Sequence, residues 1–144
     1  MLGMKTYAPD YVAQSRKRID ADVAGYRKLA AAAKKQGAGE NALGSALSAF
    51  ERTYFTDMVL VLDRLFVHRL RMVEGKDTNA LSEVRALCNS IVHNNGVMTP
   101  DKAVKLTPAD SILQYAPGEK IAVDEAQFVK LSAAFFAELE RKFV

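Results

Sequence analysis

The sequence predicts a mainly α-helical, single-domain protein, a bundle of about four helices with a small β-hairpin element before the last one. Two observations carry that reading. Apolar residues recur at three- and four-residue spacing through most of the chain up to Asn94, and again from Phe128 onward. Between them, after Gly96, the texture shifts to short β-permissive runs interrupted by prolines. A length of 144 residues is enough for one core, and with no internal repeat or linker to divide it, residues 1–144 read as one domain.

The first helix is expected to start after Pro9-Asp10, with Val12, Ile19, Val23, Tyr26 and Ala30 as its buried stripe. Lys34-Lys35 followed by Gly37 is a stop signal, because cations complement the carbonyl end of a helix and glycine tolerates the left-handed turn that closes it. The second helix is placed at about 40–73, on a seam of Leu43, Leu47, Phe50, Tyr54, Val61, Leu65 and Met72. From Phe55 to Val67 its apolar residues spread around the circumference. This predicts either a central helix or a subunit interface, and the amount of apolar surface points to a homodimer.

Asn79 is a plausible N-cap for a third helix over about 80–94, with Glu83 in its first turn and Leu81, Val84, Leu87, Cys88, Ile91 and Val92 on its buried face. Asn94-Asn95-Gly96 should end it, Gly96 taking the left-handed position. The β-permissive pieces are Val104-Lys105-Leu106, Ser111-Ile112-Leu113 and Lys120-Ile121-Ala122-Val123, separated by Pro108 and Pro117-Gly118, and a small hairpin is expected among them. Asp124-Glu125-Ala126-Gln127 offers a capping box for the last helix, which buries Phe128, Leu131, Phe135 and Leu139.

Composition excludes some functions. Apolar residues at 49% and charged residues at 26% are globular, not disordered, proportions. A net charge of +3 permits nucleic-acid binding, but the basic residues are scattered among acidic neighbours and not gathered on one face. The single cysteine, Cys88, allows no internal disulfide and fits a reducing compartment. Residues 1–10 lack the apolar core of a signal peptide, and the run Met58–Leu62 falls far short of the ~20 apolar residues that span a bilayer, so a cytoplasmic location is expected.

No phosphate-binding glycine loop, nucleophile elbow or metal-ligand spacing is present, so neither a cofactor nor a metal is expected. The general acid or base residues suited to neutral pH are His68 and His93. On a helix, Arg85, Asn89 and His93 drift by only about 80° over two four-residue steps and so share a flank. An arginine near a histidine suits phosphodiester chemistry: the cation stabilises the developing phosphorane charge while the imidazole moves a proton. The alternative is a helix terminus in which His93 caps carbonyls and Arg85 pairs with a neighbour. His68, Arg69 and Arg71 form a second basic group that would hold a phosphate or carboxylate, or else His68 is a core histidine. Cys88 falls on the apolar stripe as a structural cysteine.

The stretch Cys88-Asn89-Ser90-Ile91-Val92-His93-Asn94-Asn95-Gly96 resembles the signature of HEPN-domain proteins. In that family a helix ends in an Arg-Asn pair, then apolar residues, then histidine, often followed by Asn and Gly. Asn89, Ile91, Val92, His93 and Gly96 fall in matching places. The resemblance covers residues 85–96 as sequence, and most of the chain as the order of its helices. It implies a dimer whose paired motifs form a metal-independent endoribonuclease site, in a toxin–antitoxin or defence setting, or a member that has lost catalysis and works as an RNA- or protein-binding scaffold. This chain departs from the pattern in having Cys88 where the arginine should stand, with Arg85 one turn earlier as the possible substitute. Three readings therefore stand open: a non-catalytic HEPN-like binding module, an endoribonuclease using Arg85, Asn89 and His93, and a helical domain of unrelated role.

Overall fold

The computed structural model describes the backbone of residues 7–70, 79–99 and 108–143 and the side chains of 7–66, 80–99 and 109–143. It contains helix α1 (Pro9–Lys35), α2 (Ala42–Leu70), α3 (Asn79–His93), a single 3-10 turn (Pro108–Asp110) and α4 (Glu125–Phe143). Helix α2 packs against each of the other three, which makes it the central element.

Local chemistry sets the boundaries of α1 and the start of α2. Pro9 occupies the first turn of α1, where its missing N–H is no loss, and Asp10 lies at the positive end of the dipole. At the other end the Ala38 N–H donates to the Ala33 carbonyl at 2.9 Å and the Gly37 N–H to Lys34 at 3.0 Å, with Gly37 at φ 87°. That pair of bonds is the Schellman closure, and it needs a residue without a Cβ at Gly37. Asn41 then caps α2, its Oδ1 accepting from the Gly44 N–H at 2.9 Å. Gly44 is also required by crowding, since a Cβ there would lie 1.6 Å from the Gly39 carbonyl oxygen.

Phe55, Phe66, Phe128, Phe135 and Phe136 are fully buried and, with Ile19, Leu62, Leu87, Leu131 and Leu139, make up the centre of the core. Phe66, Phe135 and Phe136 meet edge to face or tilted at 5.6–5.8 Å, the arrangement favoured by the ring quadrupoles. Tyr7 covers one end. Its N–H donates to the Phe143 carbonyl at 2.6 Å, and its hydroxyl donates to the Phe66 carbonyl. The apolar belt of α2 is thus taken up inside one chain: Phe55, Met58, Val59, Leu62 and Phe66 are all buried, and Leu60, Val61 and Leu65 pack against them. Among the described residues of the expected Phe55–Val67 interface, the buried ones are covered by α1, α3 and α4, and Leu60, Val61 and Leu65 stay partly exposed.

Helix α4 starts as expected. Asp124 Oδ1 accepts from the Gln127 N–H at 2.8 Å, and Gln127 Oε1 accepts from the Asp124 N–H at 3.3 Å, a reciprocal capping box. The expected β-hairpin is not there. Among the described residues no strand forms; there is one isolated antiparallel bridge, between Val97 and Lys120. Val104-Lys105-Leu106 lies outside the described residues. Elsewhere in this segment, helix side chains take the place of a strand partner. The Glu83 carboxylate accepts the N–H groups of Ile112 at 2.6 Å and Leu113 at 2.9 Å. Thr56 Oγ1 accepts from Val123 at 2.9 Å, and the Tyr115 hydroxyl accepts from Ala122 at 3.3 Å. β-branched residues favour extended backbone, but with their N–H groups held this way the segment lies as a coil over the bundle.

Glu83 is therefore not a dipole partner of its own helix terminus. It is 2% exposed and anchors the coil. The N-terminal turn of α3 is instead capped across the bundle, where Glu138 accepts from the Leu81 N–H at 2.9 Å. Glu83→Ala would leave two part-buried N–H groups without this acceptor, each loss worth about 1–2 kcal/mol. The expected outcome is a loss of roughly 2–4 kcal/mol in urea unfolding, partly restored in Glu83→Gln, which keeps one acceptor oxygen. An unchanged urea midpoint in Glu83→Ala would show that the coil is held by other contacts.

Candidate functional site

Helix α3 carries the sequence motif and is the most enclosed element. Of its residues from Ala80 to Ser90, only Arg85 and Asn89 are not buried, and they are half-buried. The helix emerges at its C-terminal end, where Val92 is 59% exposed and His93 is exposed. Arg85, Asn89 and His93 thus follow a gradient from interior to solvent along one flank.

Distance along the helix limits what these residues can do together. Eight residues advance about 12 Å along the axis, so Arg85 stands about two turns from His93, where the family arginine at position 88 would stand about 7.5 Å away. Cys88 does not bridge the gap. It is buried, its Sγ lies 3.4 Å from the Val59 carbonyl of α2, and its thiol donates there. Burial, reinforced by the nearby Asp63 carboxylate, pushes the Cys88 thiol far above its ordinary range, and the Arg85 cation offsets this only in part. Position 88 therefore holds a neutral thiol facing the core.

The end of α3 is built as the sequence suggested, with an addition. Asn95 and Gly96 both have positive φ, 56° and 76°. The N–H groups of Asn94 and Gly96 both donate to the Ser90 carbonyl, and the Asn94 side-chain amide donates to the Val97 carbonyl at 2.7 Å. Lys120 then closes the terminus from the coil, its ammonium donating to the Asn95 carbonyl at 3.0 Å. Ser90 Oγ, buried, accepts from the Thr99 N–H at 3.1 Å. Sequence periodicity could not show Lys120 as a cap, because the contact crosses from a distant part of the chain.

Two of the surface grooves among the described residues lie beside helices of the bundle. One, of about 410 Å³, lies between α2, the end of α3 and the coil, and is lined by Arg52, Asp57, Ile91, Gly96 and Lys120 among others. Ile91 projects about 160–240° around the helix from Arg85, Asn89 and His93, so this groove, though it touches Ile91 and Gly96 of the motif, opens on the flank opposite those three side chains. Both of its cations also serve the fold, since Arg52 donates to the Ala122 carbonyl at 3.3 Å and Lys120 to Asn95. The other groove, of about 400 Å³, runs between α1 and α4 over Ile19, Val23, Phe128 and Phe136. It is bridged by the ion pairs Arg16–Glu140, at 3.1 Å, and Arg27–Glu125. Neither groove is lined by Arg85, Asn89 or His93.

Of the second basic group, Arg71 and the side chains of His68 and Arg69 lie outside the described residues. Among the described residues, no group of three or more His, Cys, Asp or Glu residues could hold a metal ion, and no helix is long and apolar enough to cross a membrane. No protein-family model, curated protein or solved structure matches the chain.

The surroundings of Cys88 have a pH consequence. Its folded pKa lies above its unfolded value, so the unfolded chain releases the proton first, and stability falls as pH rises past about 8.5. A thiol-specific chromogenic reagent at pH 8 should leave native Cys88 unmodified and titrate it stoichiometrically in denaturant. In Cys88→Ala the loss of stability above pH 8.5 should be smaller than in the wild type. Rapid modification of the native protein would contradict the buried placement.

Proposed function

We propose that the protein is a non-catalytic, HEPN-like binding module, in an RNA-associated or defence setting of the kind the motif resemblance implies. The observation that carries this reading is the fate of position 88. Where the family pattern has an arginine, this chain has a thiol buried against the main chain of α2. Arg85 does not replace it in place, because it stands about 12 Å along the axis from His93. A cleavage site needs a charge stabiliser and a proton carrier at the same phosphate. The last part of the motif, Asn94-Asn95-Gly96, builds the helix terminus. The scattering of basic residues among acidic ones favours a protein partner over RNA.

The exposure of His93 favours a second reading, a metal-independent endoribonuclease. On that reading a homodimer sets His93 of one copy near Arg85 of the other, which removes the separation along the helix.

One assay separates the two. Purified protein is incubated with mixed RNA in the presence of EDTA, beside His93→Ala and Arg85→Ala. The binding-module reading expects no cleavage above the His93→Ala background. The ribonuclease reading expects cleavage that persists in EDTA, vanishes in folded His93→Ala and falls by roughly 10² to 10³ in Arg85→Ala, as expected for loss of one transition-state charge stabiliser.

A further inference from the structure

We infer that the groove between α2, the end of α3 and the coil is a binding site for a monoanionic carboxylate on a short aliphatic body, the chemistry shared by a small free acid and by the C-terminal residue of a chain. The groove opens away from Arg85, Asn89 and His93, so the inference goes beyond the motif-based reading and does not rest on it.

The fold brings two cations from distant parts of the chain to one opening. Arg52 comes from α2 and Lys120 from the coil, both are exposed, and both line the groove. Each is held by a main-chain carbonyl: Arg52 Nη1 donates to that of Ala122 at 3.3 Å, and Lys120 Nζ to that of Asn95 at 3.0 Å. Gly96 makes room for the ammonium, since a Cβ there would lie 2.9 Å from Lys120 Nζ. These bonds exhaust neither group, because a guanidinium and an ammonium carry more N–H donors than one. A tethered side chain has also lost part of the rotamer freedom that binding a ligand would otherwise cost. Among the described residues neither cation is in an ion pair.

Thr56 adds a third donor to the lining. Its Oγ1 accepts the Val123 N–H at 2.9 Å, so its own hydroxyl proton is left to give. Four residues after Arg52, it stands on the same face of α2. Donors from the helix and from the coil thus border one groove, and they call for an acceptor-rich ligand.

Charge and shape narrow the class. Asp57 lines the groove beside the two cations, and the carbonyl end of α3 draws on the charge of Lys120. The lining therefore has at most one positive charge in excess. A monoanion matches that excess, whereas a phosphate dianion brings a charge that nothing offsets and meets Asp57. Ile91 and Ala122, both half-buried, supply the apolar wall. At about 410 Å³ the groove lies at the small end of ligand sites.

The test follows the amide signals of the full chain by NMR during titration with isovalerate, with N-acetyl-leucine as the stand-in for a chain terminus, with the uncharged isovaleramide, and with inorganic phosphate at about pH 8, where it is largely a dianion. The two carboxylates are expected to shift the signals of Asn95, Gly96, Ile121 and Ala122 saturably, and the amide and phosphate are not. The tighter of the two carboxylates identifies the source, a free acid or a terminus. Affinity should fall about tenfold or more in Arg52→Gln and in Lys120→Gln, each checked for an unchanged thermal midpoint, as expected for loss of a charge-assisted bond. Asp57 is exposed, so Asp57→Asn changes the charge of the groove and not the core. It should bind isovalerate more tightly and gain saturable binding of phosphate, and it decides the matter alone if either cation variant fails to fold. The inference is overturned if neither carboxylate gives saturable shifts, if isovaleramide or phosphate shifts the wild-type signals as strongly, or if Asp57→Asn leaves the preference among anions unchanged. None of these failures touches the non-catalytic reading, which turns on RNA cleavage and His93.

Discussion

A carboxylate inside an apolar core is unfavourable unless its lone pairs are occupied. Glu83 meets that condition by taking two consecutive N–H groups from the coil, at Ile112 and Leu113. The arrangement serves both sides. Among the described residues the coil has no neighbouring strand, and its part-buried N–H groups need acceptors as much as the carboxylate needs donors. Once the coil is fixed at Ile112 and Leu113, Tyr115 can receive the Ala122 N–H and share Gln127 Oε1, while Thr56 receives the Val123 N–H. That run of bonds delivers the chain to Asp124, where the capping box starts α4. The placement of the last helix, and of the five phenylalanines that make the core, follows from polar side chains on α2 and α3.

The features legible in the sequence are those whose chemistry is local. The Gly37 closure of α1, the capping box of α4 and the Asn94–Gly96 terminus each involve residues within a few positions of one another, and each forms as read. Long-range satisfaction of hydrogen bonds was not legible. Val, Ile and Leu in short runs bounded by proline look the same whether their N–H groups go to a neighbouring strand or to a glutamate on a helix. Glu83 reads as a first-turn acid because its partners lie about 30 positions away (|i−j| of 29 and 30). The belt from Phe55 to Val67 shows that α2 has neighbours on several sides but not whether they belong to the same chain. In this fold α1, α3 and α4 supply them.

The motif region divides in the same way. Periodicity places Arg85, Asn89 and His93 on one flank, and that much needs only the pitch of a helix. The gradient from half-buried Arg85 to exposed His93 depends on where α2, α4 and the coil stop covering α3, which no local pattern records. The consequence for chemistry is large. A shared flank is a line of residues, whereas a reacting atom needs groups that converge on it.

Tyr7 holds together parts of the chain that are far apart in sequence, bonding to the Phe143 carbonyl and to that of Phe66. Closing a loop that long sacrifices more chain entropy than forming any neighbouring-helix contact, though the increase with length is only logarithmic. The α2–α3 and α3–α4 contacts close shorter loops than the junction of Tyr7 with the end of α4. The same junction is where reversible opening begins. Hydrogen exchange at amide resolution should then show low protection in the first turn of α1 and the last turn of α4, and the highest protection at buried positions such as Leu87 in the middle of α3.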